Sequence, residues 1–130
     1  MAGSDDLFGE PPNDPIPLRP LKLSTASVTP NLVMVEASGD IDVASAEEFD
    51  SCLRAAVGAL SSGGRVLVDM TAVSFLGGCG VRSLLQADRL AERRGGKLQL
   101  VVTSEPVRHP LRTLGVLEKL HVLTSRDEAV

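Results

Sequence analysis

The chain has 130 residues, enough for one domain, and 43% of them are hydrophobic, enough for a core, yet only 2% are aromatic and none is Trp or Tyr. The core must therefore be aliphatic, and the shortage of rings argues against a surface that stacks nucleic-acid bases. A formal charge of −4 creates no overall field toward phosphate backbones or anionic lipid, so neither nucleic acid nor membrane is an expected partner.

Met1 to Pro20 carries Pro11, Pro12, Pro15, Pro17 and Pro20 among Asp5, Asp6 and Asp14. Such a stretch buries too little to offset its ordering entropy, so residues 1–20 are expected to form a flexible tail and 21–130 the folded domain. It contains no apolar core of a signal peptide, and no later run is long enough to span a bilayer, so a cytoplasmic protein is expected. Leu21 to Thr29 and Asn31 to Ile41 read as two strands around a Pro30-Asn31 turn. In the second strand Leu32, Met34 and Glu36 share one face, and Val33, Val35 and Ala37 the other. Gly39-Asp40-Ile41-Asp42 then breaks the pattern.

Ser45-Ala46-Glu47-Glu48 has the form of a capping box, with Ser45 accepting from the Glu48 N–H and the Glu48 carboxylate reaching back. Phe49, Cys52, Leu53, Ala56, Val57 and Leu60 follow at helical spacing, which puts Cys52 on the core stripe as a small buried hydrophobe. Ser61 to Gly64 closes this helix. Val66-Leu67-Val68 is a run suited to a strand covered on both faces, and Asp69 is expected to end it. Thr71 to Leu76 reads as a connection anchored by Val73 and Phe75. Gly77, Gly78 and Gly80 surround Cys79 where the backbone is expected to turn tightly into a helix from about Gly80. That helix turns Val81, Leu84, Leu85 and Ala91 inward, and its basic end at Arg93 and Arg94 suits the helix dipole before Gly95-Gly96 stops it.

Lys97 to Val102 is a further strand. Ser104-Glu105-Pro106 is a helix-start signal, with Val107, Leu111 and Leu114 inward. Pro110 is expected to kink this helix or to begin it, because in an interior it costs about 3 kcal/mol. Gly115 ends the helix, a short strand follows at His121 to Leu123, and Ser125 to Val130 can begin a last helix. Strands alternating with helices imply an α/β fold: one mixed β-sheet, mostly parallel with an antiparallel first pair, and helices packed against it.

Enzyme chemistry finds little support. Two cysteines without zinc-ligand spacing give neither a disulfide framework nor a metal site. His109 and His121 have no acid at triad-like spacing, and Gly77-Gly78-Cys79-Gly80 lacks the lysine of a phosphate loop. No cofactor is expected.

From about Leu21 onward the chain resembles the STAS domain, the fold of bacterial anti-sigma factor antagonists. The resemblance is carried by Gly39-Asp40-Ile41-Asp42 before the Ser45 helix, by Val66 to Phe75, by Gly80-Val81-Arg82-Ser83-Leu84-Leu85, by Gly95-Gly96-Lys97-Leu98 and by Leu114-Gly115-Val116. It implies a binding module, not an enzyme. In the family, a Ser or Thr at the loop-to-helix junction is phosphorylated by an anti-sigma factor that is also a kinase, and the unphosphorylated antagonist binds that partner and frees the sigma factor. A phosphate there disrupts the contact by repulsion and desolvation. The family's usual Asp-Ser-Ser-Gly or Asp-Ser-Thr-Gly is here Gly77-Gly78-Cys79-Gly80, so the acid and the phosphoacceptor hydroxyl are both replaced.

The resemblance places the partner face on Gly39, Asp40 and Asp42, on Gly77, Gly78, Cys79 and Gly80, and on Val81, Arg82, Ser83 and Gln86 of the helix. The partner it implies is a kinase-like anti-sigma factor, met by a monomer or weak dimer. Three readings of Cys79 stand side by side: it fills space; it leaves the antagonist permanently competent to bind; or it is a thiol switch, since a helix start favours the thiolate and oxidation adds bulk or charge where a phosphate would sit. Ser74 and Ser83 are the neighbouring hydroxyls that could take a phosphate instead. A STAS accessory subunit of a transporter ATPase or of another signalling complex is the alternative function.

Overall fold

The computed structural model describes residues 19–126. These form eight elements in chain order: strands β1 (Lys22–Thr29) and β2 (Leu32–Ile41), helix α1 (Ala46–Gly58), strand β3 (Arg65–Leu76), helix α2 (Gly78–Arg93), strand β4 (Lys97–Val101), helix α3 (Glu105–Thr113) and strand β5 (His121–Leu123). The strands lie in the order β1-β2-β3-β4-β5 in one sheet. β1 and β2 are antiparallel and the other three pairings are parallel, as the alternation of elements predicts.

The main core lies on one face of this sheet. Val33, Val35 and Ala37 of β2, Val66, Val68 and Met70 of β3, and Leu98 and Leu100 of β4 meet Phe49, Leu53 and Val57 of α1, Val81, Leu84 and Ala91 of α2, and Val107 and Leu111 of α3. The two-residue period of β2 is thus realised, with its Leu32 and Met34 turned to the opposite face beside buried Leu67 and Val101. Cys52 is only half-buried at the edge of the main core, its Sγ 3.5 Å from Thr25 Oγ1, and is not the fully buried hydrophobe its spacing suggested.

Several local expectations are corrected. Asp69 does not end the central strand: β3 continues to Leu76, and Thr71 to Leu76 pairs with β2 instead of looping away. Two register shifts against β2, between Glu36 and Ser38 and between Gly39 and Asp40, put extra residues into β3 and spoil the alternation that marks a strand in sequence. The Thr71 N–H donates to Asp69 Oδ1 at 2.9 Å within the first of these bulges. Between the two shifts Val73 is buried as expected, but past the second Phe75 turns out to solvent, 50% exposed.

Ser45 does not form a capping box. Its hydroxyl faces backward, accepting from the Asp42 N–H at 3.0 Å and donating to Asp40 O at 2.9 Å, so it ties down the loop before α1 rather than the first turn of the helix. α2 starts at Gly78, earlier than Gly80. α3 starts at Glu105 and runs through Pro110 rather than beginning there. A missing donor removes one bond from this nine-residue helix, while fully buried Val107 and Leu111 hold it from within. Leu114, expected inward, follows the last turn and is 54% exposed. Residues 1–18, most of the expected tail, and 127–130, most of the expected last helix, lie outside the described residues.

Candidate functional site

The mouth of α2 is built where β2 and β3 end side by side. Ile41 and Leu76 are register partners, and Ile41 O accepts the Gly77 N–H at 2.8 Å. Gly77 caps α2 without a side chain, and its carbonyl takes the first helical bonds, from the N–H of Gly80 at 3.0 Å and of Val81 at 3.2 Å. None of Gly77, Gly78 and Gly80 has a positive φ, so no left-handed turn is made here, contrary to the reading of this run as a tight turn. The glycine that the geometry requires is Gly80. A methyl group there would lie 2.6 Å from Ile41 Cγ2 and 2.7 Å from Leu76 Cδ1. Only a bare Cα lets the start of α2 press against the ends of both strands.

Close approach at Gly80 leaves Cys79 on the outer side of the first turn, exposed and unpaired with Cys52. It lines a shallow cleft of about 720 Å³ together with Gly78, Arg82 and Gln86 of α2, Glu47 and Asp50 of α1, and Leu114. Arg82 and Gln86 are exposed, as is Gly78. Asp50 accepts from Arg54 through Nε at 2.8 Å and Nη2 at 2.6 Å, one helical turn away. The cleft is thus a mixed surface, with acid from α1, base from α2, a thiol and the apolar side chains of Ala46 and Leu114.

The other residues expected on the partner face fall into two groups. Gly80, Val81 and Ser83 are buried and support the surface from below; Ser83 Oγ donates to Cys79 O at 3.2 Å. Gly39, Asp40 and Asp42 belong to the end of β2 and the loop beyond it. Gly39 is buried with φ +92, and any side chain there would run into Pro20 O at 2.2 Å. The Asp40 N–H donates to Arg19 O at 2.9 Å, and Asp42 Oδ1 accepts the Ser45 N–H at 3.1 Å. These residues shape the border of the α2 mouth and are themselves half-buried or buried.

Glu47, Asp50 and Leu114 escaped the sequence reading. Glu47 is exposed on α1 and Asp50 is half-buried one turn on, and only the side-by-side packing of α1 and α2 brings them to the cleft that Cys79 lines. A second feature was also missed: Asp88, on the inner side of α2, is 8% exposed and its Oδ1 has no hydrogen-bond partner. Burial, and then the Glu92 charge, raise its carboxyl above the ordinary value, against the pull of His121 and Arg89.

A family model described as the STAS domain matches residues 24–129. No curated protein matches the sequence. Among solved structures, an anti-sigma factor antagonist from Mycobacterium paratuberculosis is 22% identical, with a TM-score of 0.74 over 85% of this chain and 91% of its own. The anti-sigma factor antagonist SpoIIAA, a cell fate determinant of Bacillus, is 21% identical in its unphosphorylated form, with a TM-score of 0.69 over 83% of this chain and 92% of its own. The murine anion transporter Slc26a9 is 22% identical, with a TM-score of 0.62 over 76% of this chain, which corresponds to only 17% of the transporter. At these identities the structural likeness speaks for the fold.

Proposed function

The chain belongs to the STAS domain family, and from that membership we propose that it is an anti-sigma factor antagonist, a regulatory module that binds a kinase-like anti-sigma factor through the Cys79 cleft and so releases a sigma factor. The observation that carries this reading is the exposure of Cys79 on a helix start that is rigidly backed by β2 and β3. A partner meets Gly78, Cys79, Arg82 and Gln86 directly, with Glu47, Asp50 and Leu114 on the far side of the cleft. Gly80, Val81 and Ser83 act by holding that surface in place.

The thiol replaces the phosphoacceptor hydroxyl, so the contact is not switched off by phosphorylation at residue 79. Ser83 does not substitute, because it is 6% exposed and its hydroxyl is bonded to Cys79 O. Purified reduced protein mixed with a kinase-like anti-sigma factor should form a complex whose amount does not fall when ATP is added. Cys79→Ser should make the complex ATP-sensitive, and Cys79→Asp should weaken it about tenfold or more, through charge placed in the contact. No complex with any kinase-like anti-sigma factor of the native cell, or phosphate mapped to Ser74 or Ser83 of the wild type, would overturn the proposal. A complex of wild type that responds to peroxide, while that of Cys79→Ser does not, would add the thiol as a control point.

A further inference from the structure

β5 is an edge strand of the described sheet and holds on weakly by itself: it has three residues, of which His121 is exposed and Val122 and Leu123 are half-buried. Leu123 packs against buried Leu67 and Val101 on the face of the sheet opposite the helices, and its carbonyl accepts the Val102 N–H at 2.9 Å. The register sets Leu123 of β5, Val101 of β4, Asp69 of β3 and Glu36 of β2 in one row across the sheet. Three strand spacings, about 14 Å, separate the ends of that row. Arg126 nevertheless reaches its far end, donating through Nε to Asp69 Oδ2 at 2.6 Å and through Nη2 to Glu36 Oε2. The chain from Leu123 to Arg126 spans at most about 11 Å, so the backbone must double straight back over β4 and the arginine stem must cover the rest.

We propose that residues 121–126 form a strap, latched by Arg126 across Asp69 and Glu36, that opens and closes as a unit while the rest of the sheet stays folded. The two sides of the latch are unequal. Asp69 is a fixed keeper: its side chain is 9% exposed, and its Oδ1 accepts the Thr71 N–H at 2.9 Å inside the first β3 bulge. Glu36 is steadied by Ser24 Oγ, which donates to Oε1 at 3.3 Å. The Arg126 side chain is 44% exposed and belongs to the segment beyond β5, so it is the part that moves. Two carboxylates on neighbouring strands suit the planar fork of a guanidinium, one branch to each, which a lysine ammonium does not reproduce. Release frees the Val102 N–H and draws Leu123 off Leu67 and Val101. The latch thus sets whether this face of the sheet is sealed or presents apolar surface. The device lies on the face opposite α2 and does not rest on the reading of the Cys79 cleft.

The test is amide hydrogen exchange on the full-length protein, read residue by residue by NMR. In the wild type, Val102 should exchange faster than buried Val68 of β3 and with little dependence on urea, since strap opening exposes little surface. Arg126→Ala should speed Val102 about fivefold or more, from the loss of two charge-assisted bonds discounted for a half-exposed guanidinium. Asp69→Asn, whose amide oxygen can keep the Thr71 bond, should speed it too, and Arg126→Lys should fall between wild type and Arg126→Ala. Gly80→Ala crowds the start of α2 and leaves the strap alone, so it should speed Val68 and leave Val102 unchanged. Val102 exchanging with the rate and urea dependence of Val68, or unaltered Val102 exchange in a folded Arg126→Ala or Asp69→Asn protein, would overturn the proposal.

Discussion

Gly80→Ala and Gly78→Ala are the same chemical change two residues apart at the start of α2, and the structure gives them opposite outcomes. The methyl at residue 80 would sit 2.6 Å from Ile41 Cγ2 and 2.7 Å from Leu76 Cδ1, about 1 Å inside ordinary carbon contact. Ile41 is 0% exposed, and its Cγ2 is fixed directly on a branched Cβ, so it cannot swing aside. Relief requires α2 to lift from the strand ends, and overpacking of this kind costs about 1–3 kcal/mol. Better helix propensity returns up to about 1 kcal/mol. Against a full return of about 1 kcal/mol the net loss is up to about 2 kcal/mol, and each kcal/mol lowers Tm by about 4 °C for a domain between the ~100- and ~150-residue scales. At residue 78 a methyl meets nothing within 4 Å, so only the gain in propensity remains. Urea unfolding followed by far-UV circular dichroism reads both variants. Gly80→Ala should lower the midpoint, and Gly78→Ala should leave it unchanged or raise it. A Gly80→Ala protein as stable as Gly78→Ala would refute the claim that α2 is seated by direct contact at residue 80.

Gly39→Ala should destabilise by about 2 kcal/mol or more in the same assay, since it adds a left-handed backbone to a clash with Pro20 O. Asp88 gives a pH dependence. Its carboxyl is raised in the folded state, so the fold binds its proton more tightly than the unfolded chain does. The charged form therefore costs stability at neutral pH, and that cost is relieved as pH falls from the raised value toward the ordinary range near 4. Asp88→Asn should raise the urea midpoint at pH 7, with the advantage vanishing on acidification; a lower midpoint at pH 7 would contradict this. An aromatic disulfide reagent should react fast with exposed Cys79 and slowly with half-buried Cys52, and Cys79→Ser should remove the fast phase alone.

The fold was legible where burial follows a regular period. β2 alternates cleanly because one face meets the helices, and the amphipathic stripes of α1 and α2 show in their spacing. The far half of β3 was hidden because its two bulges destroy that period, and the same bulges put Phe75 outside. Ser45 has the sequence of a capping residue, yet the Asp40–Asp42 loop competes for its hydroxyl and wins. At the candidate site, the position of Cys79 at the start of a helix could be read, whereas the burial of Ser83 and the acids contributed by α1 depend on how α1 and α2 pack. The Arg126 contacts could not be read at all, since they join residues 57 and 90 positions apart in sequence.

Ile41 touches the start of α2 twice, through its carbonyl on Gly77 and through its side chain beneath Gly80. A helix pinned at its leading end has little freedom to tilt or slide toward an incoming surface. On the proposed reading of the Cys79 cleft, encounter should therefore resemble the fitting of two finished shapes, with discrimination between rival partners assigned to the groups at positions 47, 50, 79, 82 and 86. Exchanging those five side chains should redirect the module to a new target while the sheet beneath stays unaltered.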